Sequence, residues 1–248
     1  MTSPRIFILG GTSAIAQAYA RLRGAEGAGF VLLGRHADRL RAVAKDLEAC
    51  GARQSEIYAT DLADIAAIES TLDVVLSQFG KPDEVLIAYG ALGVQANTAH
   101  DLAAARDIFD VNFTSAALWV LGILKRHENG VPLTIVGIGS VAGDRGRASN
   151  FTYGSAKAGF ARFLEGLAQK YDGTGVHIIT VKPGLVDTPM TAAFIKQGPL
   201  WATPERIARD MQRGVVRNQR VIYTPSFWWV IMMIIRHLPW FVFKRLKV

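Results

Sequence analysis

"RIFILGGTSAIAQAYA", Arg5 to Ala20, holds the pattern by which the rest of the chain is read. The run Ile6 to Leu9 is apolar on four consecutive positions, as a strand buried on both faces must be. Gly10 and Gly11 follow and allow a tight turn with close backbone approach. A helical pattern then starts near residue 14. Its first turn offers free N–H groups and a partial positive charge, a setting that suits a phosphate. Thr12 and Ser13 can bond that phosphate or cap the helix, and Ile15 lies in the same first turn. A glycine turn joins many strands to helices, so this unit alone decides nothing about function.

The unit repeats. Strands are expected at 5–9, 30–33, 55–59, 84–88, 133–138, 176–181 and 221–223, with helices near 14–23, 37–50, 64–79, 103–126, 150–171 and 203–217. Such alternation predicts an α/β fold: a Rossmann-type, doubly wound parallel sheet of about seven strands with helices on both faces. At 248 residues, half of them hydrophobic, one large domain is expected. No repeat or Pro/Gly-rich linker divides it. Pro225 sets off a hydrophobic, basic tail, so the expected division is 1–225 and 226–248. The single cysteine, Cys50, excludes an internal disulfide and is expected to be a buried thiol in a reducing compartment. The apolar run at the N-terminus is too short for a signal peptide, and a cytoplasmic protein is expected.

Ligands of such sheets sit at the carboxyl ends of the strands. After strand two stand Gly34 and Arg35, with no acid for ribose hydroxyls. A guanidinium there can clamp a 2′-phosphate, which favours NADP(H); a solvated surface arginine is the ordinary alternative. Asp61, followed by Leu62, can accept from an adenine amino group, cap the next helix, or do both. In "IGSVAGDRGRASNFTYGSAKAGF" (138–160), Tyr153 and Lys157 are four apart and share a helix face. A neighbouring ammonium is expected to lower the phenol's pKa from about 10. Ser140 can hold a substrate carbonyl against that phenol.

With these residues in order, the chain resembles the short-chain dehydrogenase/reductase family over nearly its whole length. The matching positions are Gly10 and Gly11, Asn112 in "DVNFTSAA", Ser140, Tyr153 with Lys157, and Pro183-Gly184 in "VKPGLVDTPM". The resemblance implies that Tyr153 is the general acid for carbonyl reduction and that Ser140 orients the carbonyl. It also implies that Lys157 binds the nicotinamide ribose, that Asn112 supports a water-linked proton relay, and that Thr188 reaches the cofactor. Gly90 falls at the cofactor edge; no metal is called for. Two departures stand out. The segment Gly10–Ala16 is one residue shorter than usual, with Ala16 where a glycine is common. The usual Asn-Asn-Ala-Gly after strand four reads Ile87-Ala88-Tyr89-Gly90.

The net charge of +7 has one source. Residues 1–200 hold 19 Lys+Arg and 19 Asp+Glu, whereas 201–248 hold 9 and 2. The basic residues stand beside Trp228, Trp229, Trp240, Phe241 and Phe243, which suits an anionic membrane surface better than nucleic acid. Nine apolar residues, 227–235, fall far short of the roughly twenty that span a bilayer. The tail is therefore expected to be an interfacial anchor, peripheral to the inner face of the cell membrane, or else part of a subunit interface. Met190, Phe194, Ile195, Leu200 and Trp201 are expected to line an apolar lid over the site, with ordinary amphipathic packing as the alternative. "ILGGTSAIA", "IAYGALG", "SVAGDRGRASNFTYGSAKAG" and the tail resemble the reductases of decaprenylphosphoryl-2-keto-pentose. That branch implies a lipid-linked substrate, a flavin-dependent oxidase partner and a homo-oligomer. The competing expectations are a reductase of another hydrophobic ketone (a 3-oxoacyl chain, sterol or long-chain base) and a non-catalytic, membrane-tethered NADP-binding protein.

Overall fold

Strand β1 (Arg5–Leu9) sends Ile6 and Ile8 into one hydrophobic cluster and Phe7 and Leu9 into another, on opposite faces of one sheet. The structure is a computed structural model that describes residues 3–196 and 198–245. Lys247, one of the basic residues of the tail, lies outside the described residues. After β1 come α1 (Ala14–Ala25), β2 (Gly29–Gly34), α2 (Ala37–Ala49), β3 (Gln54–Ala59), α3 (Ile68–Phe79) and β4 (Glu84–Ile87). Then follow α4 (Gln95–Thr98), α5 (Leu102–Phe109), α6 (Ser115–Lys125), β5 (Leu133–Ile138), α7 (Phe151–Lys170) and β6 (Val176–Pro183). The chain continues through β7 (Leu185–Val186), β8 (Trp201–Ala202), α8 (Pro204–Val216), β9 (Val221–Thr224), α9 (Phe227–His237) and α10 (Trp240–Phe243).

Seven strands form a parallel sheet in the order β3-β2-β1-β4-β5-β6-β9, as the alternation predicts. Helices α1, α2 and α8 cover one face through Tyr19, Leu40, Leu47, Ile207 and Met211. Helices α3, α6 and α7 cover the other through Leu72, Val75, Trp119, Val120, Phe160 and Leu164. The strand order reverses between β1 and β4, which fixes where a crevice opens at the carboxyl ends.

Three local expectations change. The predicted helix 103–126 is interrupted: Asp110–Thr114 is a π-helical turn between α5 and α6, a form often found at functional sites. The acid that caps the turn before α3 is Asp64, which accepts from Ala66 and Ala67 N–H; Asp61 accepts from Ala63 N–H in a turn of its own. Cys50 is exposed, not buried, because it stands one residue past the end of α2.

The tail is packed against the domain. Trp228 and Met232, four apart on α9, are 6% and 0% exposed and pack with Val141 and Tyr223. Arg145 clamps the far end: it donates to the Ile235 carbonyl and lies 3.8 Å over the Phe243 ring. The other face of the tail leaves Trp229, Val230, Ile234, Trp240 and Phe241 exposed. The boundary at 225 therefore separates no independent unit.

Met232→Ala should cost about 2–4 kcal/mol in urea unfolding, because it removes a fully buried side chain. Ile234→Ser, on the exposed face, should stay within about 0.5 kcal/mol. Equal effects of the two substitutions would show that α9 does not dock.

Candidate active site

A cleft runs along the carboxyl ends of the central strands, with a cavity volume of about 490 Å³. Its walls come from the turns after β1 and β2, the loops after β4 and β5, the start of α7, the segment after β6, and Trp228. Gly10 has φ +95°, and a Cβ there would stand 2.7 Å from the Tyr89 nitrogen, so only glycine fits between the two loops. Thr12, Ser13 and Ile15 line the cleft. Gly11 does not. It faces Leu32 and Leu40, where a Cβ would meet atoms at 3.0 Å, so its glycine serves packing beneath the turn. Ala16 is fully buried in the core at the same place, which accommodates the methyl in the shortened turn. The Ser13 side chain makes no capping bond to α1.

At the β2 end Arg35 is exposed on the rim, and no ion pair or hydrogen bond among the described residues holds its guanidinium. Asp61 lines the cleft with one carboxylate oxygen committed to the Ala63 N–H. Leu62 also lines it, while its carbonyl accepts from the Trp119 indole at 3.0 Å. Tyr89 takes the place of the usual asparagine by bonding Ser115 at 2.9 Å, and burial drives its pKa up. Gly90 is tight: a Cβ there would lie 2.6 Å from Asn112 Oδ1 and 3.4 Å from Lys157 Nζ.

The chemistry gathers at the β5 end. Ser140 Oγ accepts the Ala142 N–H at 3.1 Å, which fixes it close enough to the Tyr153 phenol to lower its pKa. Lys157 is buried one helical turn further along α7. Its Nζ donates to the Ile138 carbonyl at 3.0 Å and lies 5.9 Å from the Tyr153 ring centroid. Burial draws the Lys157 pKa down to about 8 and pushes the Tyr153 phenol up to about 12, the latter against the lowering effect of Ser140. The expected lowering of the phenol by the ammonium is thus absent here: the ammonium is spent on a carbonyl, and desolvation dominates both groups. The result is a phenol that stays protonated at neutral pH beside a cation.

Asn112 stands behind this wall on the π-helical turn. Its Nδ2 donates to the Ala91 and Ile108 carbonyls, both at 2.8 Å, and its Oδ1 accepts the Ala91 N–H at 3.1 Å. The side chain is a clamp on the loop after β4. It does not line the cleft.

Pro183, Gly184 and Thr188 line the cleft after β6. The Trp228 indole lies so close over Gly184 that no Cβ fits. Of the residues expected to line a lid, Met190, Phe194 and Trp201 face the cleft. Ile195 and Leu200 do not, and Ile195 is 81% exposed. This segment is no helix. It leaves through β7, makes one 3₁₀ turn at Pro189–Thr191, and returns through β8, which pairs with β7. Arg147, Asn150 and Trp228 are cleft residues that the motif reading passed over.

Comparisons with known proteins agree with this arrangement. A family model described as short chain dehydrogenase matches residues 4–198. An uncharacterized oxidoreductase of Mycobacterium tuberculosis is 34% identical over 241 residues, covering 97% of this chain and 96% of that protein. The cis-4-hydroxycyclohexanecarboxylate dehydrogenase of Sinomonas cyclohexanicum is 31% identical over 189 residues, 75% of each chain. Among solved structures, a short-chain dehydrogenase from Sphingobium yanoikuyae in complex with NADPH has a TM-score of 0.79 at 21% identity, covering 98% of this chain and 96% of that one. At that identity the likeness speaks for the fold.

The depressed Lys157 pKa has a direct readout. In protein labelled with ¹⁵N-lysine, the Nζ signal that disappears in Lys157→Met should titrate near pH 8, against about 10.5 for exposed lysines. The cation is then present below that pH and lost above it. A midpoint above 10 would contradict the burial described.

Proposed function

The chain belongs to the short-chain dehydrogenase family, and on that footing we propose that it is an NADP(H)-dependent reductase of a ketone carried on a lipid. The observation that carries the reading is the gathering of Ser140, Tyr153 and the buried Lys157 ammonium in one cleft. When bound, the cofactor supplies a hydride. The chain's own groups do the rest. The Tyr153 phenol gives its proton to the carbonyl oxygen, and the Ser140 hydroxyl holds that oxygen beside it. The Lys157 ammonium, 5.9 Å from the Tyr153 ring centroid, is the cation beside the phenolate left behind.

The cleft fits a dinucleotide on grounds of its own. The Gly10 turn lets the two loops approach, the N–H groups that open α1 face the cleft without a side-chain cap, and Arg35 stands free at its end. Gly10, Thr12, Ser13 and Ile15 would hold the diphosphate side and Arg35 the 2′-phosphate. Asp61 and Leu62 would flank the adenine, with Gly90, Pro183, Gly184 and Thr188 near the nicotinamide.

The substrate reading is narrower: the 2-keto group of a polyprenyl-phosphate-linked pentose, reduced as the second half of an epimerisation that a flavin-dependent oxidase begins. Its support is the sequence resemblance, the apolar cleft wall of Met190, Phe194, Trp201 and Trp228, and the exposed aromatic face of the tail. That face would sit at the cytoplasmic surface of an anionic membrane, and the exposed apolar residues Leu102, Phe109 and Phe151 of α5 and α7 would pair copies of the chain. A second reading, reduction of another cyclic or hydrophobic ketone, is favoured by the relative named for a hydroxycyclohexanecarboxylate.

Purified protein with NADPH should reduce the lipid-linked 2-keto pentose, and Tyr153→Phe should slow it by about 10²–10⁴. Turnover of a neutral long-chain ketone in its place would sink the narrower reading. Replacing the exposed residues Trp229, Ile234, Trp240 and Phe241 together by serine should release the protein from anionic vesicles while leaving Trp228 and Met232 in place. Undiminished co-sedimentation would move the attachment elsewhere.

A further inference from the structure

Among the described residues, three buried polar atoms without a hydrogen-bond partner belong to the wall of one cleft: Arg147 Nε, Asn150 Oδ1 and Trp228 Nε1. Two others lie elsewhere. Arg23 Nε has a Glu26 carboxylate oxygen at 3.1 Å, though poorly aligned, and Ser55 Oγ stands on β3. Buried polar groups are ordinarily paired. Three orphans around one cavity mark where a ligand's polar atoms belong.

Each orphan departs from what its position would ordinarily give. Asn150 is the N-cap of α7, where an asparagine oxygen normally accepts an N–H from the first turn. It makes no such bond. Gln95 Oε1 accepts the Thr152 N–H at 3.1 Å and so relieves Asn150 of that task. Arg147 has no ion pair among the described residues, and its one hydrogen bond is a long contact to the Val141 carbonyl at 3.4 Å. Asp144, the acid whose field reaches it, is already matched by the Lys182 ammonium at 2.5 Å and the Tyr223 hydroxyl at 2.6 Å. Burial pulls the Arg147 pKa down and Asp144 only partly offsets it. Lys157 and Arg145 are spent on the Ile138 and Ile235 carbonyls. Among the described residues Arg147 thus has only that long bond and no ion pair, and a desolvated cation calls for an anion.

We propose that Arg147 determines substrate specificity by binding a carboxylate or phosphate oxygen of the ketone, with Asn150 beside it accepting a substrate hydroxyl. The assignment rests on the reading of the cleft as a ketone reductase site. It is separate from the cofactor's phosphate. Arg35 follows β2 and Arg147 follows β5, three strand spacings or about 14 Å apart across the sheet. One arginine reads the cofactor and the other the substrate. Trp228 of the tail lines the same cleft, so α9 borders the proposed substrate site.

The test uses the full chain with NADPH and two matched substrate pairs. One pair is 4-oxocyclohexanecarboxylate and its methyl ester. The other is a pentofuranosid-2-ulose 1-phosphate and the corresponding methyl glycoside. The wild-type protein should prefer the charged member of at least one pair by on the order of 100-fold in kcat/KM, and the pair that shows it tells carboxylate from phosphate. Arg147→Gln should collapse that preference mainly through KM, and Arg147→Lys should keep part of it, which a purely structural arginine would not do. Equal use of charged and neutral members by the wild type, or a preference that survives Arg147→Gln, overturns the proposal. If none of the four is reduced, the reductase reading fails for these substrates, and calorimetric titration of the NADPH-saturated protein with 4-oxocyclohexanecarboxylate and with inorganic phosphate decides the anion site. Binding lost in Arg147→Gln upholds it; no binding of either anion by the wild type overturns it.

Discussion

Asp144 is the fixed point of the catalytic end. Its carboxylate is 3% exposed and is matched by Lys182 from β6 and Tyr223 from β9. An unmatched carboxylate at that depth would cost several kcal/mol, so the loop after β5 closes where those two partners stand. The consequences spread along the loop in both directions. Upstream, the 3₁₀ turn at Val141–Gly143 places Ser140 against Tyr153. Downstream, Arg145 reaches the tail and Arg147 reaches the cleft. Gly143 packs so closely on α7 that a Cβ there would lie 2.7 Å from the Ala158 nitrogen, which locks the loop to the helix that carries Tyr153 and Lys157.

The same loop joins the C-terminal segment to the chemistry. Trp228 and Met232 occupy one face of α9 and close over Val141 and Gly184. Trp228 thereby becomes part of the cleft wall near the helix that carries Tyr153 and Lys157. The opposite face of α9 and the short α10 remain apolar and uncovered. One eleven-residue helix thus has a face committed to the active-site cleft and a face available to an apolar surface. If a bilayer covers that second face, the cleft lies close to the lipid from which a membrane-borne ketone would come. The geometry makes the exposed apolar face of α9 and the cleft neighbours, which a tail on a flexible linker would not do.

The fold was legible because parallel strands buried on both faces must be apolar on consecutive positions, and Ile6–Leu9 and Val85–Ile87 are. The candidate catalytic residues were legible in part from spacing, since four residues put Tyr153 and Lys157 on one helix face, and in part from the family resemblance that singles out Ser140. Gly11 matches the family's glycine turn but does not line the cleft, and sequence does not say which way a turn glycine faces. Here it faces Leu32 and Leu40. The π-helical turn at Asn112 hides inside a helical pattern, since one extra residue per turn barely disturbs apolar spacing over five residues. Trp228, Arg147 and Asn150 escaped for a different reason. A tryptophan in a greasy tail and an arginine in a polar loop look ordinary, and their lack of partners exists only in three dimensions.

The other end of the sheet shows that burial alone does not leave such groups unpaired. There Glu84, at the start of β4, accepts from the Tyr19 hydroxyl at 2.6 Å and from Arg23 at 2.7 Å, and Arg23 also donates to Tyr19 at 2.9 Å. An arginine, a tyrosine and a carboxylate are buried together and spend their polar atoms mainly on one another. At the cleft an arginine, an asparagine and a tryptophan are buried with little or nothing to bond, beside a lysine whose pKa falls to about 8. The chain can therefore close a buried polar cluster, and it leaves this one open. Unpaired groups cost stability wherever they occur, and natural folds accept that cost chiefly where the missing partner is a ligand. The contrast between the two ends leaves the open valences in the cleft wall that also holds Tyr153, where the proposed anionic group of the substrate would close them.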